Sequence, residues 1–112
     1  MKPIEIHLYE GAYAIVNPVN RTIEYHSAID DRVRDERVKK ELVLICWYYI
    51  QTYDETKSVP PFEDARRFAA LVAIRKEAFG DLTKWSIDDL VREADVTEEF
   101  AQFRISLEVQ QN

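Results

Sequence analysis

The chain has 112 residues, 46% hydrophobic and 32% charged, which is the make-up of one globular domain (residues 1–112) and not of a disordered segment. Fifteen basic against twenty-one acidic side chains leave a net charge of -6, so a broad phosphate-binding surface is not expected. A single cysteine, Cys46, excludes an internal disulfide and suits a reducing cytoplasm; the longest apolar run, LVLICWYYI, is nine residues, against the roughly 20 that a membrane-crossing helix needs.

No basic segment followed by an apolar one opens the sequence, so a cytoplasmic protein without a leader or membrane anchor is expected. Residues 1–26 alternate in character. IEIHLY, AYAIV and RTIEY read as short strands, separated by turn signals at Glu10-Gly11 and from Asn17-Pro18 to Asn20. Such a sheet is marginal alone and must lay one face on helices.

Residues 27–112 read as helical. Ser27 with Asp30 resembles a capping box opening a long helix that runs to Tyr53. Its first half, DDRVRDERVKKE, holds five acids and five bases, with Asp30/Arg34, Asp35/Lys39 and Glu36/Lys40 one turn apart. Its second half carries Leu42, Ile45, Cys46, Tyr49 and Tyr53 near helical spacing, as in a helix entering a core. A strand competes over LVLICWYYI because of its β-branched and aromatic content, but no turn signal separates it from the charged lead-in. Trp47, Tyr48 and Tyr49 are consecutive and cannot all point inward, so one of them marks a surface.

The prolines of KSVPP break the chain and suit the start of a second helix, with Glu63 and Asp64 in its first turn and Gly80 in the left-handed position after Phe79. Ser86 with Asp89 is a further capping box, and Thr97 followed by Glu98 and Glu99 begins a last helix. The expected fold is α+β: a small antiparallel sheet of about three strands packed on about four helices.

Zinc peptidase chemistry asks for two histidines one helical turn apart with a glutamate beside the first, and a third ligand from a later helix. The segment EDARRFAALVAI is similar to the E-A-N-x-F-A-A segment of the ImmA/IrrE family of metallopeptidase-like proteins, with Asp64 at the position of the ligand glutamate. SIDDLVREADVTEEFAQFRISL resembles that family's tail, with Leu90, Val96, Thr97 and Arg104 in register, and AYAIVNP resembles the strand before its zinc helix. The resemblance implies a zincin-like arrangement. It departs at the centre: the nearest match to H-E-x-x-H is KELVL, with Lys40 and Leu44 where the histidines belong and Glu41 between them. The only histidines are His7 and His26, in the strand region, so no metal, cofactor or catalytic residue is expected, and Lys40 could pair with Asp64 in place of an ion.

Taken alone, Glu41 and Asp64 read as ordinary helix-surface carboxylates, and His7 and His26 as half-exposed strand residues. Cys46 lacks an activating neighbour, and apolar surroundings raise a thiol's pKa. Arg66, Arg67, Arg75 and Lys76 read as a solvated face balanced by Glu63, Asp64 and Glu77. From Lys84 onward there are three bases and seven acids, which sets the helix pair against DNA binding despite its helix-turn-helix spacing.

The resemblance implies a non-enzymatic, regulatory protein-binding domain of phage or mobile-element type, acting in the host cytoplasm. A DNA-binding regulator and a small phage structural or assembly protein are the alternatives. Asp88, Asp89, Glu93, Asp95, Glu98 and Glu99 place six carboxylates within twelve residues and would meet a basic partner, such as a repressor, a nuclease or a polymerase subunit. The purified protein is expected to hold no stoichiometric zinc and to cleave no peptide. One tightly bound zinc per chain, or a Tm that drops sharply with chelator, would contradict this.

Overall fold

A two-residue period sorts side chains onto opposite faces of a sheet, and the N-terminal strand region does so. In the computed structural model, which describes residues 3–26 and 36–110, three antiparallel strands form a meander: β1 (Ile4–His7), β2 (Tyr13–Asn17) and β3 (Thr22–His26). Register pairs Ile6 with Ala14 and Val16 with Ile23, so Ile6, Ala14 and Val16 share the buried face. On the opposite face the rings of His7, Tyr13 and His26 stack across all three strands, with centroids 5.3 and 4.8 Å apart. Tyr9–Gly11 forms a single 3-10 turn, and Asn17 Oδ1 accepts the backbone N–H groups of Val19 and Asn20, both at 3.1 Å.

The run LVLICWYYI is helical. It belongs to α1 (Glu36–Thr52), whose Val38, Leu42, Ile45, Cys46, Tyr49 and Ile50 form one buried stripe. That stripe packs against β2 and β3 on one side and α2 on the other, which makes α1 the element around which the core is built. Of the three consecutive aromatics, Tyr49 is buried and Tyr48 lies against Phe68, while Trp47 is the exposed one, beside the Arg21 guanidinium. The expected capping box at Ser27 and Asp30, and the pairs Asp30/Arg34 and Asp35/Lys39, fall outside the described residues.

Pro61 sets the extended backbone before α2 (Phe62–Ala73), and Ala65, Ala69 and Ala70 are the small buried residues that let α2 approach α1 closely. Sequence predicts one helix from Glu63 to Phe79; the chain instead breaks at Ile74, and a single further turn, α3 (Lys76–Phe79), follows. The break is tied to a residue thirty positions away: Arg104 Nε donates to the Ile74 carbonyl at 2.8 Å, and Ile74, at φ -127° and ψ 85°, leaves the helical region with its side chain fully buried. Gly80 does take a positive φ of 75°, but with ψ of -145° it sits in a glycine-only extended region and not in the left-handed helical one.

Ser86 Oγ accepts the Asp89 N–H at 3.1 Å and opens α4 (Ile87–Ala94); Thr97 Oγ1 accepts the Phe100 N–H at 3.3 Å and opens α5 (Glu98–Gln110). Asp95 joins the two in a left-handed conformation at φ 55°. α5 packs against both α2 and α4, and Arg66 of α2 stacks 3.9 Å over the Phe103 ring of α5. The α+β architecture expected from the sequence is the one observed. No helix among the described residues is long and apolar enough to cross a membrane.

Because Ile45 is 1% exposed at the centre of this packing, Ile45→Asp should leave the domain unfolded: a buried, unpaired carboxylate costs several kcal/mol, on the order of the whole stability. Gln51→Ala on the exposed side of the same helix should change stability by about 0.5 kcal/mol or less. Circular dichroism during urea unfolding distinguishes them, and equal effects would mean that α1 does not occupy the core.

Candidate functional site

The residues of the KELVL segment lie on α1, but they do not converge on one point. Glu41, expected on the surface, is 1% exposed. It falls in the buried stripe because it is one turn before Ile45 and one after Val38. Lys40 Nζ donates to the backbone carbonyls of Asp95 at 2.8 Å and Ala94 at 3.2 Å, where it holds the junction between α4 and α5. That favours a cation, since the last carbonyls of α4 carry its negative dipole end. Leu44 packs on the edge of the core. Asp64 is exposed on α2, in a shallow hollow shared with Tyr48, Arg67, Phe68 and Leu71. The expected Lys40–Asp64 pair therefore does not form; the lysine is spent on the α4–α5 turn.

What surrounds Glu41 is a closed ring of hydroxyls. Thr97 Oγ1 donates to Glu41 Oε1 at 2.6 Å, the Thr97 N–H reaches the same oxygen at 3.4 Å, and Tyr9 donates its hydroxyl to Glu41 Oε2. Tyr9 and Thr97 oxygens are themselves 2.6 Å apart. Two hydroxyls and one backbone N–H thus converge on a single carboxyl. Burial pushes that carboxyl above the ordinary glutamate range, against the pull of the Thr97 and Tyr9 hydrogen bonds and the Arg66 charge. Burial and the neighbouring Glu41 likewise raise the Tyr9 phenol.

Tyr9 and Thr97 also line a cleft of about 560 Å³, together with Arg37, Asp88, Val91, Glu98, Glu99 and Gln102. Arg37 reaches the Val96 carbonyl at 3.5 Å on its inner side. All six acids singled out from the sequence are exposed, and Arg92 is paired with Asp89 at 2.6 Å and with Glu93 at 3.7 Å. Asp88, Glu98 and Glu99 border the cleft; Asp89, Glu93 and Asp95 do not line it. Hydrogen bonding to Arg92 and Ser86 holds the Asp89 carboxyl below the usual range.

Tyr9 went unnoticed in the sequence, where it is the last residue of an alternating run and nothing marks it as a partner of positions 41 and 97. Of the four tail positions in register with the resembled family, Leu90, Val96, Thr97 and Arg104 are all buried. His7 is exposed and His26 half-buried, each near a glutamate of its own strand (His7 Nε2 to Glu5 at 3.3 Å, His26 Nε2 to Glu24 at 3.2 Å). Cys46 is fully buried, and burial alone pushes its thiol up to about 12, so it is no nucleophile. Among the described residues, no three His, Cys, Asp or Glu side chains gather closely enough to hold a metal ion.

No protein-family model matches the chain, and neither a curated protein nor a solved structure is significantly similar to it.

The raised Glu41 pKa has a defined sign. A carboxyl that binds its proton more tightly when folded loses stabilisation as pH rises from its unfolded pKa, about 4.5, through its folded one. Glu41→Gln keeps a neutral polar group there and lacks that titration. Its stability relative to wild type should therefore increase between pH 4.5 and 8, as read by urea unfolding of both proteins. Parallel pH profiles would show that Glu41 is not protonated more readily in the folded state.

Proposed function

We propose that this chain is a non-enzymatic, regulatory protein-binding domain that engages a basic partner through the acidic side chains of α4 and the start of α5. The observation that carries this reading is the exposed acid surface beside a cleft: Asp88, Asp89, Glu93, Asp95, Glu98 and Glu99 all face solvent, opposed locally by Arg92 alone in residues 88–99. Such a field speeds encounter with a basic surface and is screened beyond roughly 8 Å at physiological salt. DNA-binding proteins present surfaces of that kind, so a repressor, a nuclease or a polymerase subunit is the class of partner.

The state of α1 supports the non-enzymatic part. Glu41, the residue in the place of a peptidase's general base, has its oxygens taken by Thr97 and Tyr9, and Lys40 is held by two carbonyls. A general base needs a free lone pair within reach of substrate water, and a ligating group needs one aimed at an ion. In this proposal the domain is a metallopeptidase-like fold without metal, of phage or mobile-element origin. The competing DNA-binding reading gains nothing from the geometry, because α5 would lead into the groove with Glu98 and Glu99 exposed at its tip.

Affinity capture from a bacterial lysate identifies the partner, and a repressor, a host enzyme or a virion protein would each point to a different role. The association rate is then measured for wild type and for a variant combining Asp89→Lys, Glu98→Lys and Glu99→Lys. The wild-type rate should fall as salt rises, and the variant should bind more slowly, with that dependence lost. An on-rate unchanged by the substitutions would leave the acids as helix caps and solubilising charge, with no part in recognition.

A further inference from the structure

Two helices that pack along one side turn their other sides to solvent, and on α1 and α2 that outer side is apolar. Leu44 and Tyr48 lie one turn apart on α1, while Phe68, Leu71 and Val72 share one side of α2. Tyr48 and Phe68 bring the two rows together, their ring centroids 5.4 Å apart. Leu71 and Val72 stay 39% and 41% exposed, beyond what the core covers. An apolar strip on the outside of a helix pair is where such a pair meets further protein.

One anion and one cation edge the strip. Asp64 and Arg67, one turn apart on α2, share with Tyr48, Phe68 and Leu71 a shallow hollow of about 400 Å³. Asp and Arg at this spacing can pair across a helical turn, as Asp89 and Arg92 do on α4 at 2.6 Å. Asp64 and Arg67 do not: among the described residues neither makes an ion pair. Both charges stand open at the hollow.

These charges decide the occupant. A basic surface would be opposed by Arg67 and an acidic one by Asp64, so the matching surface carries a cation opposite Asp64, an anion opposite Arg67 and apolar groups beside them. This face carries that pattern itself, once turned by a two-fold axis across α2 midway between the two charges. Asp64 then meets Arg67 of a second copy, and Arg67 meets that copy's Asp64, so the contact is satisfied twice. The same axis sets the two α2 helices antiparallel. It carries Leu71 and Val72 of each copy past the start of the other's α2, where Val59 is 50% exposed. We propose that the outer face of α1 and α2 is a self-association surface through which two copies of this chain join as a two-fold dimer, with reciprocal Asp64–Arg67 pairs flanking an apolar contact of Tyr48, Phe68, Leu71 and Val72. Apolar burial supplies the affinity, and the charge pairs fix the register. None of the six acids of α4 and α5 lines this hollow, so the dimer stands whether or not a basic partner engages them.

The test is sedimentation equilibrium of the full chain. A reversible monomer–dimer equilibrium is expected, with a Kd in the micromolar range and the dimer at twice the 13.2 kDa of one chain. Asp64→Arg alone and Arg67→Asp alone set like charges opposite one another, and each should weaken the dimer at least about tenfold. An equal mixture of the two variants should restore it, because every cross-pair is again opposite in sign. One chain carrying both substitutions should restore it too. Leu71→Asp, at an exposed position, should give a monomer with unchanged circular dichroism. The first turn of α2 favours an acid, so if Asp64→Arg does not fold, Arg67→Asp and Leu71→Asp decide, and both must lose the dimer. A chain that stays monomeric throughout, a dimer indifferent to those two substitutions, or a mixture of folded charge variants no tighter than its components would overturn the assignment. The variant combining Asp89→Lys, Glu98→Lys and Glu99→Lys should keep the dimer. Its loss there, with Arg67→Asp and Leu71→Asp still dimeric, would place self-association on α4 and α5 and overturn the assignment as well.

Discussion

A buried carboxyl can be kept only if its oxygens are supplied with protons, and at Glu41 the suppliers come from two distant parts of the chain. Tyr9 belongs to the turn after β1, Thr97 to the cap of α5, and Glu41 to the central helix. One side chain therefore fixes the sheet end, α1 and the start of α5 to one another. The apolar stripe of α1 would still collapse onto the sheet without it, but nothing apolar dictates where along α1 the last helix begins. Directional bonds supply that register, and Lys40, one position earlier, reinforces it by gripping the Ala94 and Asp95 carbonyls.

The second buried polar tie works by the same logic from the other end of α5. Arg104 is 1% exposed, and its charge is met by Glu108 at 2.6 Å while its Nε satisfies the Ile74 carbonyl left open by the end of α2. Lys76 approaches the other Glu108 oxygen at 3.8 Å. Replacing a buried pair of this sort by apolar residues is often neutral for stability, whereas removing one partner strands the other. Its contribution is better described as placement: it ties α5 to the carbonyl that follows the end of α2 at Ala73.

Local chemistry was legible in the sequence and remote chemistry was not. The strand alternation, the Asn17 turn, the helix of LVLICWYYI and the caps at Ser86 and Thr97 are all set by neighbours within four positions, and each appears where the pattern places it. The break at Ile74 escaped because the residue that bonds its carbonyl, Arg104, lies thirty positions on. Glu41 read as a surface acid because a buried glutamate is rare, and only the folded chain shows Tyr9 and Thr97 closing on it. The six acids of α4 and α5 were legible as an exposed group, since caps and first turns face solvent by construction. The cavity of about 440 Å³ lined by Ile4, Val19 and Tyr49 was not, because it is assembled from a strand, a turn and a helix end that share no local pattern.

The solitary Cys46 gives the protein a property that an experimenter would otherwise have to install. Its sulfur lies on the helix face clamped between sheet and α2, with no access to solvent in the native packing. A thiol reagent can modify it only after that clamp opens, so the rate of modification counts openings of the core. For the same reason two folded molecules cannot join through this sulfur. A covalent dimer formed on oxidation would be a record of chains that had unfolded first.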